Sequence, residues 1–193
     1  MGCANKRVSF LIAVILTGTF FAAKMRPPTL IYPSIRMLVT ENTEPVTAFD
    51  QERTPRQNRH AFIEYVSFPL ARELTHHSLG STEISSNFFL DLKTALICDF
   101  PGEYEFLIQT DHDTRAAVRI KADDEVIAEH DSRDHITRAS HYFEKGIHLL
   151  EINYIQGEGV INNLEIFFSP PEDENFYPMG SDTETCRFLP PLR

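Results

Sequence analysis

The sequence predicts an all-β chain folded as an antiparallel β-sandwich, and three observations lead there. From Phe88 to Pro170 apolar and polar residues alternate, as they do on strands with one face buried and one wet. Turn residues such as Pro101-Gly102, Lys145-Gly146 and Gln156-Gly157 interrupt that alternation at roughly 8–12-residue intervals, the spacing of short antiparallel strands. With 42% hydrophobic residues and 15 Phe, the 193-residue chain can fill a β-rich core although it has no Trp.

The elements follow in order. Lys6 and Arg7 precede VSFLIAVILTGTFFAA, an uncharged run of about 16 residues, near the lower limit for a membrane-crossing helix. A basic start and an apolar run read as a signal peptide or signal anchor over 1–26. Phe21 fits poorly at the −3 position for cleavage after Ala23, and Lys24 and Arg26 follow at once, so a short N-terminal membrane-anchor helix over about 8–23 is the expectation. It would hold the domain on the periplasmic or extracellular side. MGCANK lacks the Ser or Thr of a myristoylation site at Lys6, and Cys3 lies on the wrong side of the run for a lipoprotein cysteine.

Residues 27–60 carry Pro27, Pro28, Pro33, Pro45 and Pro55 and read as an extended linker. Within it Leu30 to Val39 is apolar enough for a strand or a membrane-proximal contact. The sandwich is expected over 61–170, opening with a strand from Ala61 to Phe68 and then one helical turn and a loop through ARELTHHSLGSTEISS. Its further strands are Phe88 to Leu92, Thr94 to Asp99, Glu103 to Thr110, Ala116 to Lys121, Glu125 to Glu129, His148 to Ile155 and Ile161 to Ser169. Alternation assigns Phe89, Leu96, Tyr104, Phe106, Ile108, Val118, Ile120, Leu150, Ile152, Tyr154, Ile166 and Phe168 to the core. Residues 171–193 are acidic and then Pro-rich and read as a loose tail.

The formal net charge of −10 argues against nucleic acid as a partner, because phosphate binding draws on Lys and Arg to displace counterions. It suits a soluble domain whose acidic loops could also hold a hard cation. Of the three cysteines, Cys3 precedes the apolar run while Cys98 and Cys186 follow it. In an oxidising compartment Cys98 and Cys186 could close a loop of roughly 90 residues, worth about 4 kcal/mol by the chain-entropy model. Otherwise they are one buried strand cysteine and one free tail thiol.

The order of landmarks from Asn87 to Pro171 resembles the protective-antigen fourteen-kilodalton domain family. Pro101-Gly102-x-Tyr104-x-Phe106 comes first, then the acidic loop Asp111-His112-Asp113, then Lys145-Gly146-x-His148, then a strand ending in aromatic residues. That family is a β-sandwich found in bacterial toxins, glycosidases and fungal adhesins, and in its lectin members two adjacent loop aspartates hold a calcium ion that binds sugar hydroxyls. The resemblance therefore implies extracytoplasmic carbohydrate recognition, with Asp111 matching the first aspartate. His112 stands where the second should be and Asp113 where a glycine is usual, so Asp113 serves as the second carboxylate only after a shift of one residue. Calcium suits carboxylates clustered on one loop. The other readings of this loop are a solvated turn and direct sugar contact without metal. Asn162 and Asn163 start the last core strand, where their amides could reach a ligand at the same sandwich end.

Asp123-Asp124 reads as a hairpin tip and His148 as a structural strand residue. The eight histidines show no zinc spacing, and His76-His77 would project to opposite sides of a strand. No nucleophile elbow, phosphate-binding glycine loop or kinase set is present, so the chain reads as a non-enzyme. The expected function is that of a membrane-anchored carbohydrate-binding module. The alternative is a structural or accessory module that holds partner proteins in an envelope polysaccharide or secretion assembly.

Overall fold

The computed structural model of the chain describes residues 32–69, 71–110, 115–131, 133–159, 161 and 163–191. The expected anchor helix over about 8–23 lies outside them. Among the described residues no helix is long and apolar enough to cross a membrane.

The elements are β1 (Ile35–Asn42), β2 (Pro55–Ile63), β3 (Ser67–Phe68), β4 (Thr75–His76), β5 (Gly80–Ser81), β6 (Phe88–Cys98) and β7 (Gly102–Thr110). They continue with β8 (Ala116–Ala122), β9 (Glu125–Asp131), β10 (Ile136–Phe143), β11 (Gly146–Gln156), β12 (Leu164–Ser169), β13 (Tyr177–Pro178) and β14 (Cys186–Leu189). The first sheet has the order β2-β1-β6-β11-β8-β9, with β14 added to the same edge of β6 that β1 uses. The second has the order β10-β7-β12-β13, with β3 also paired to β12. Every pairing is antiparallel.

The inner faces carry the alternating apolar residues that the sequence assigns to the core. Leu96, Tyr104, Phe106, Ile108, Val118, Ile120, Leu150, Ile152, Tyr154, Ile166 and Phe168 are all buried in one cluster, joined by Met37, Val39, Leu92 and Phe143. Burying side chains of this size contributes on the order of 2 kcal/mol each, which makes this cluster the main source of stability. Phe89 is buried in a different place. It alternates with Phe88 and Leu90, which face the main core, and joins Val46 and Ile155 in a second, smaller cluster.

Several boundaries differ from the expectation, each for a physical reason. The segment 27–60, read as a linker from its prolines, contains β1 and most of β2. Pro55 starts β2, which lies at the sheet edge where a missing N–H is tolerated. The two strands read over Phe88 to Leu92 and Thr94 to Asp99 are one strand, β6, ending at Cys98, because Lys93 keeps its place in the ladder opposite Glu151 and Arg36. ARELTHHSLGSTEISS forms the β4–β5 hairpin in place of a helical turn, with Gly80 at φ +68° and Leu74 and Ile84 buried beneath it. The polar stretch around His135 and His141 holds β10, an edge strand whose residues are mostly half-exposed or exposed, so hydrophobicity did not mark it.

The tail over 171–193 is packed along much of its length. β13 pairs with β12, β14 pairs with β6, and Phe188 meets Phe168 edge-on at 5.0 Å between ring centroids. Asp123 and Asp124 do form a hairpin tip. Both have positive φ, 48° and 72°, as a two-residue type I′ turn requires.

Candidate functional site

Of the residues singled out for ligand binding, Asp111, His112, Asp113 and Asn162 lie outside the described residues. The chain around them is described and defines one end of the sandwich. Thr110, which precedes Asp111, stands opposite Leu164, which follows Asn163. On the other sheet Ala116 stands opposite Gln156. The strand ends that carry the acidic loop and the Asn162-Asn163 loop therefore converge on one end. Asn163 itself is half-buried there.

Described residues just beyond these strand ends tie the two loops together. The Gly157 N–H donates to the Arg115 carbonyl at 2.8 Å, and Arg115 Nη1 donates to the Glu158 carbonyl at 3.0 Å. The Arg115 guanidinium also lies 3.7 Å from the Glu158 carboxylate. Gly157 eases this approach, since a Cβ there would stand 3.1 Å from the Val46 carbonyl oxygen and 3.3 Å from that of Arg115 and would push the backbone back by a few tenths of an ångström.

Val46 belongs to the loop between β1 and β2, which folds over the outer face of the larger sheet. Its ends are fixed by the Asn42 N–H on the Asn87 carbonyl at 2.7 Å and the Thr54 N–H on Asn42 Oδ1 at 2.6 Å. Val46 and Phe49 cover Phe89, Ile155 and Ala117. The Arg119 guanidinium lies over the Phe49 ring at 4.4 Å and that of Arg53 over Phe89 at 4.5 Å, and Arg53 also pairs with Asp91. Between this loop and the strand ends lies a cavity of about 410 Å³, lined among others by Val46, Arg115, Ala117, Asp131, Ile155 and Glu158. It combines an apolar floor with one cation and two carboxylates at the rim, which suits a small polar ligand.

The sequence reading missed Arg115, Asp131, Glu158 and Val46. Arg115 lies two residues after Asp113 and Glu158 directly follows the Gln156-Gly157 turn, so both stand within two residues of segments that the sequence marks. Val46 was hidden because Pro45 and its polar neighbours read as linker.

Beneath this end His130 is buried, 2% exposed, between two hydroxyls. Its Nε2 is 2.7 Å from Thr110 Oγ1 and its Nδ1 is 2.9 Å from Thr137 Oγ1. Burial holds its pKa below the usual imidazole value, outweighing the opposite pull of Asp134 and Asp131. The neutral ring thus couples β7, β9 and β10 without adding charge under the site.

The remaining candidates lie elsewhere. His148 sits near the opposite end, where Nδ1 contacts Asp123 Oδ2 at 2.6 Å and Nε2 contacts the Glu144 carbonyl at 2.8 Å. Both ring nitrogens are committed to structure, which leaves no free base. His76 and His77 do not diverge, because the chain turns there and their rings stand 4.2 Å apart. Among the described residues no group of three or more His, Cys, Asp or Glu side chains is arranged to hold a metal ion. Cys98 and Cys186 face one another across β6 and β14, both buried and both free thiols.

Two antiparallel sheets packed face to face make a β-sandwich. The chain has the PA14-like β fold, named after the protective-antigen domain. It is similar to the PA14 domain of the MpAFP antifreeze protein, with 11% identity over 80% of this chain and 90% of that one and a TM-score of 0.56. It is similar also to the PA14 sugar-binding domain from an RTX adhesin, with 12% identity over 75% and 93% and a TM-score of 0.53. A third likeness is to the Epithelial Adhesin 9 A domain from Candida glabrata in complex with Galb1-3GlcNAc, with 12% identity over 79% and 88% and a TM-score of 0.51. No family model matches the chain, and no curated protein matches it by sequence.

Proposed function

We propose that this domain is a non-enzymatic carbohydrate-binding module whose ligand docks at the end where β7, β8, β11 and β12 meet. The observation that carries the reading is the convergence there of the strand ends that flank the acidic loop and the Asn162-Asn163 segment, beside a cavity edged by Arg115, Asp131 and Glu158. Similar solved folds whose names specify sugar binding or a bound disaccharide support it. Asp111 and Asp113 are the carboxylates proposed to hold calcium, which would supply a Lewis-acidic anchor for sugar hydroxyls. His112, Asn162 and Asn163 are the proposed hydrogen-bonding groups. The basic, apolar start of the chain supports membrane attachment with the domain outside the cytoplasm.

The test is a glycan array read in calcium and again in chelator, with Asp111→Ala plus Asp113→Ala alongside. Binding that the double substitution abolishes is the expected result, and no glycan bound in either condition overturns the reading. Binding that survives chelation removes the metal alone.

A second reading, an accessory module of an envelope assembly that holds partner proteins, is favoured by one feature of the larger sheet. On its outer face Ile147, 62% exposed, stands opposite the half-buried Ile97, and Leu189, 46% exposed, and the half-buried Leu149 stand on either side of Ala95. A silent glycan array together with a partner lost on Ile147→Asp would put this reading first.

A further inference from the structure

The C-terminal strand lies along the centre of the larger sheet, and one pair of residues stands out in its ladder with β6. Cys186 is directly opposite Cys98, and Phe188 and Arg187 continue the register on Leu96 and Ile97. The Asp99 N–H donates to the Thr185 carbonyl at 2.9 Å, so the cross-strand hydrogen bond belongs to the neighbouring pair. The backbone of Cys186 is used locally instead. Its N–H donates to Thr183 Oγ1 at 3.1 Å and its carbonyl accepts from the Thr183 N–H at 2.9 Å. Cys98 and Cys186 thus occupy a non-hydrogen-bonded position, where Cα atoms are about 4.5 Å apart and side chains lie closest. That separation falls in the roughly 4.4–6.8 Å window a disulfide accepts. Both side chains point into the core, at 1% and 0% exposure, and the opposite neighbour of Cys98 on β11 is Gly146, which leaves room for two sulfurs.

We propose that Cys98 and Cys186 form a cross-strand disulfide that fastens the C-terminal strand to the middle of the sandwich. The reaction is thiol–disulfide exchange with a small disulfide oxidant such as glutathione disulfide. The thiolate of one cysteine attacks a glutathione sulfur, breaking the oxidant's S–S bond and releasing one glutathione thiolate. The second cysteine thiolate attacks the protein sulfur of the mixed disulfide, forming the Cys98–Cys186 bond and releasing the other. The two protein thiols are oxidised, the oxidant is reduced to two thiols, and these take up the two protons the cysteines lost.

The surroundings set when this happens. Burial raises the pKa of both thiols, and that of Cys186 is pushed up to about 12. The folded, reduced protein therefore presents almost no thiolate and no access to an oxidant. The bond forms while the chain is folding, before β14 seals the pair, and once formed it resists reductants that do not unfold the protein. Redox history at folding decides which form exists.

The test is refolding of the full chain and of its Cys3→Ser variant from denaturant, in reduced glutathione alone or in mixed reduced and oxidised glutathione. Each product is alkylated under non-reducing, denaturing conditions and mapped by mass spectrometry. The expected result is a peptide linking Cys98 to Cys186 in the mixed buffer, with Tm about 10 °C above the reduced form for a loop of this length. Cys186→Ala, refolded in the same two buffers, should show no such difference. Native reduced protein exposed to glutathione disulfide afterwards should keep both thiols. Alkylation of both cysteines after refolding in the mixed buffer, or linkage of either to Cys3 in the full chain, overturns the proposal. So does an oxidised form no more stable than the reduced one.

Discussion

Gly180→Ala tests whether the C-terminal segment is part of the fold. Gly180 follows β13 and has φ +110°, a conformation that L side chains rarely adopt. A Cβ built there lands on the Glu64 carbonyl oxygen, inside any attainable separation, and stands 3.1 Å from Ile35 Cδ1. The obstacle is backbone, which cannot rotate aside, and it is held in place. The Val66 N–H donates to the Met179 carbonyl at 3.1 Å and the Met179 N–H to the Ile166 carbonyl at 2.8 Å. The strained φ costs about 1–3 kcal/mol and the forced displacement about another 1–3 kcal/mol. For a chain of this size that lowers Tm by roughly 10 °C. Gly80→Ala is the matched control, because Gly80 has φ +68° but no heavy atom within 4 Å of the added Cβ. It incurs the backbone term alone, about 1–2 kcal/mol, and so a drop of only a few degrees. Paired thermal melts followed by circular dichroism decide the matter. Equal losses in the two variants would show that the segment through Gly180 is not packed on Glu64 and Ile35, and the reasoning would fail.

Three further outcomes are expected. Phe143→Ala removes a buried ring that meets Tyr104 at 5.3 Å and His148 at 4.8 Å, and chemical denaturation should show a loss of about 3–5 kcal/mol. His130, held below its usual pKa by burial, contributes stability that is present above the unfolded value of about 6.5 and lost as pH falls through its lower folded value. Denaturation midpoints of the wild type should therefore decline with acidification in that window, and His130→Phe should flatten the decline. At Asp123 burial opposes ionisation, but hydrogen bonds from His148 and the Leu149 N–H outweigh it and hold the carboxyl below the usual range. That stability is present above the unfolded carboxylate value of about 4 and lost as pH falls through the folded one. NMR titration should show the Asp123 carboxyl rising toward the unfolded value in His148→Ala.

The interior of the sandwich was legible because period-two alternation and burial have the same physical origin. Tyr104, Phe106 and Ile108 on one strand and Leu150, Ile152 and Tyr154 on another each place every second residue inside. Phe89 shows where the rule stops. Alternation reports that a residue faces a particular side, and the β1–β2 loop turned the wet side of Phe89 into a second buried cluster. β10 escaped notice because an edge strand with half-exposed residues lacks the contrast that alternation needs. β1 overlaps Leu30 to Val39, which the sequence marks as a strand or a membrane-proximal contact, whereas most of β2 and all of β14 escaped because their proline-rich flanks resemble linker in composition and their pairing is set by partners far along the chain. Long-range pairing of that kind leaves no mark within a window of ten residues.

The candidate site divides along the same line. Loop residues are contiguous, so Asp111, His112, Asp113, Asn162 and Asn163 are named as candidates from the resemblance and their place in the chain. What surrounds a loop is long-range. Arg115, Asp131, Glu158 and Val46 come from four separate stretches and meet only because β8 lies between β11 and β9 while the β1–β2 loop folds back over the same face. In the proposed site, local residues would supply the binding groups and distant ones the wall. Recognition at this end would depend on both, so substitutions at Val46 or Arg115 should alter which glycan fits, whereas substitutions at Asp111 and Asp113 should decide whether any fits. Glycan arrays of Arg115→Ala and of the Asp111→Ala plus Asp113→Ala variant separate the two contributions. A ranking of bound glycans left unchanged by Arg115→Ala would remove the cavity from the binding surface.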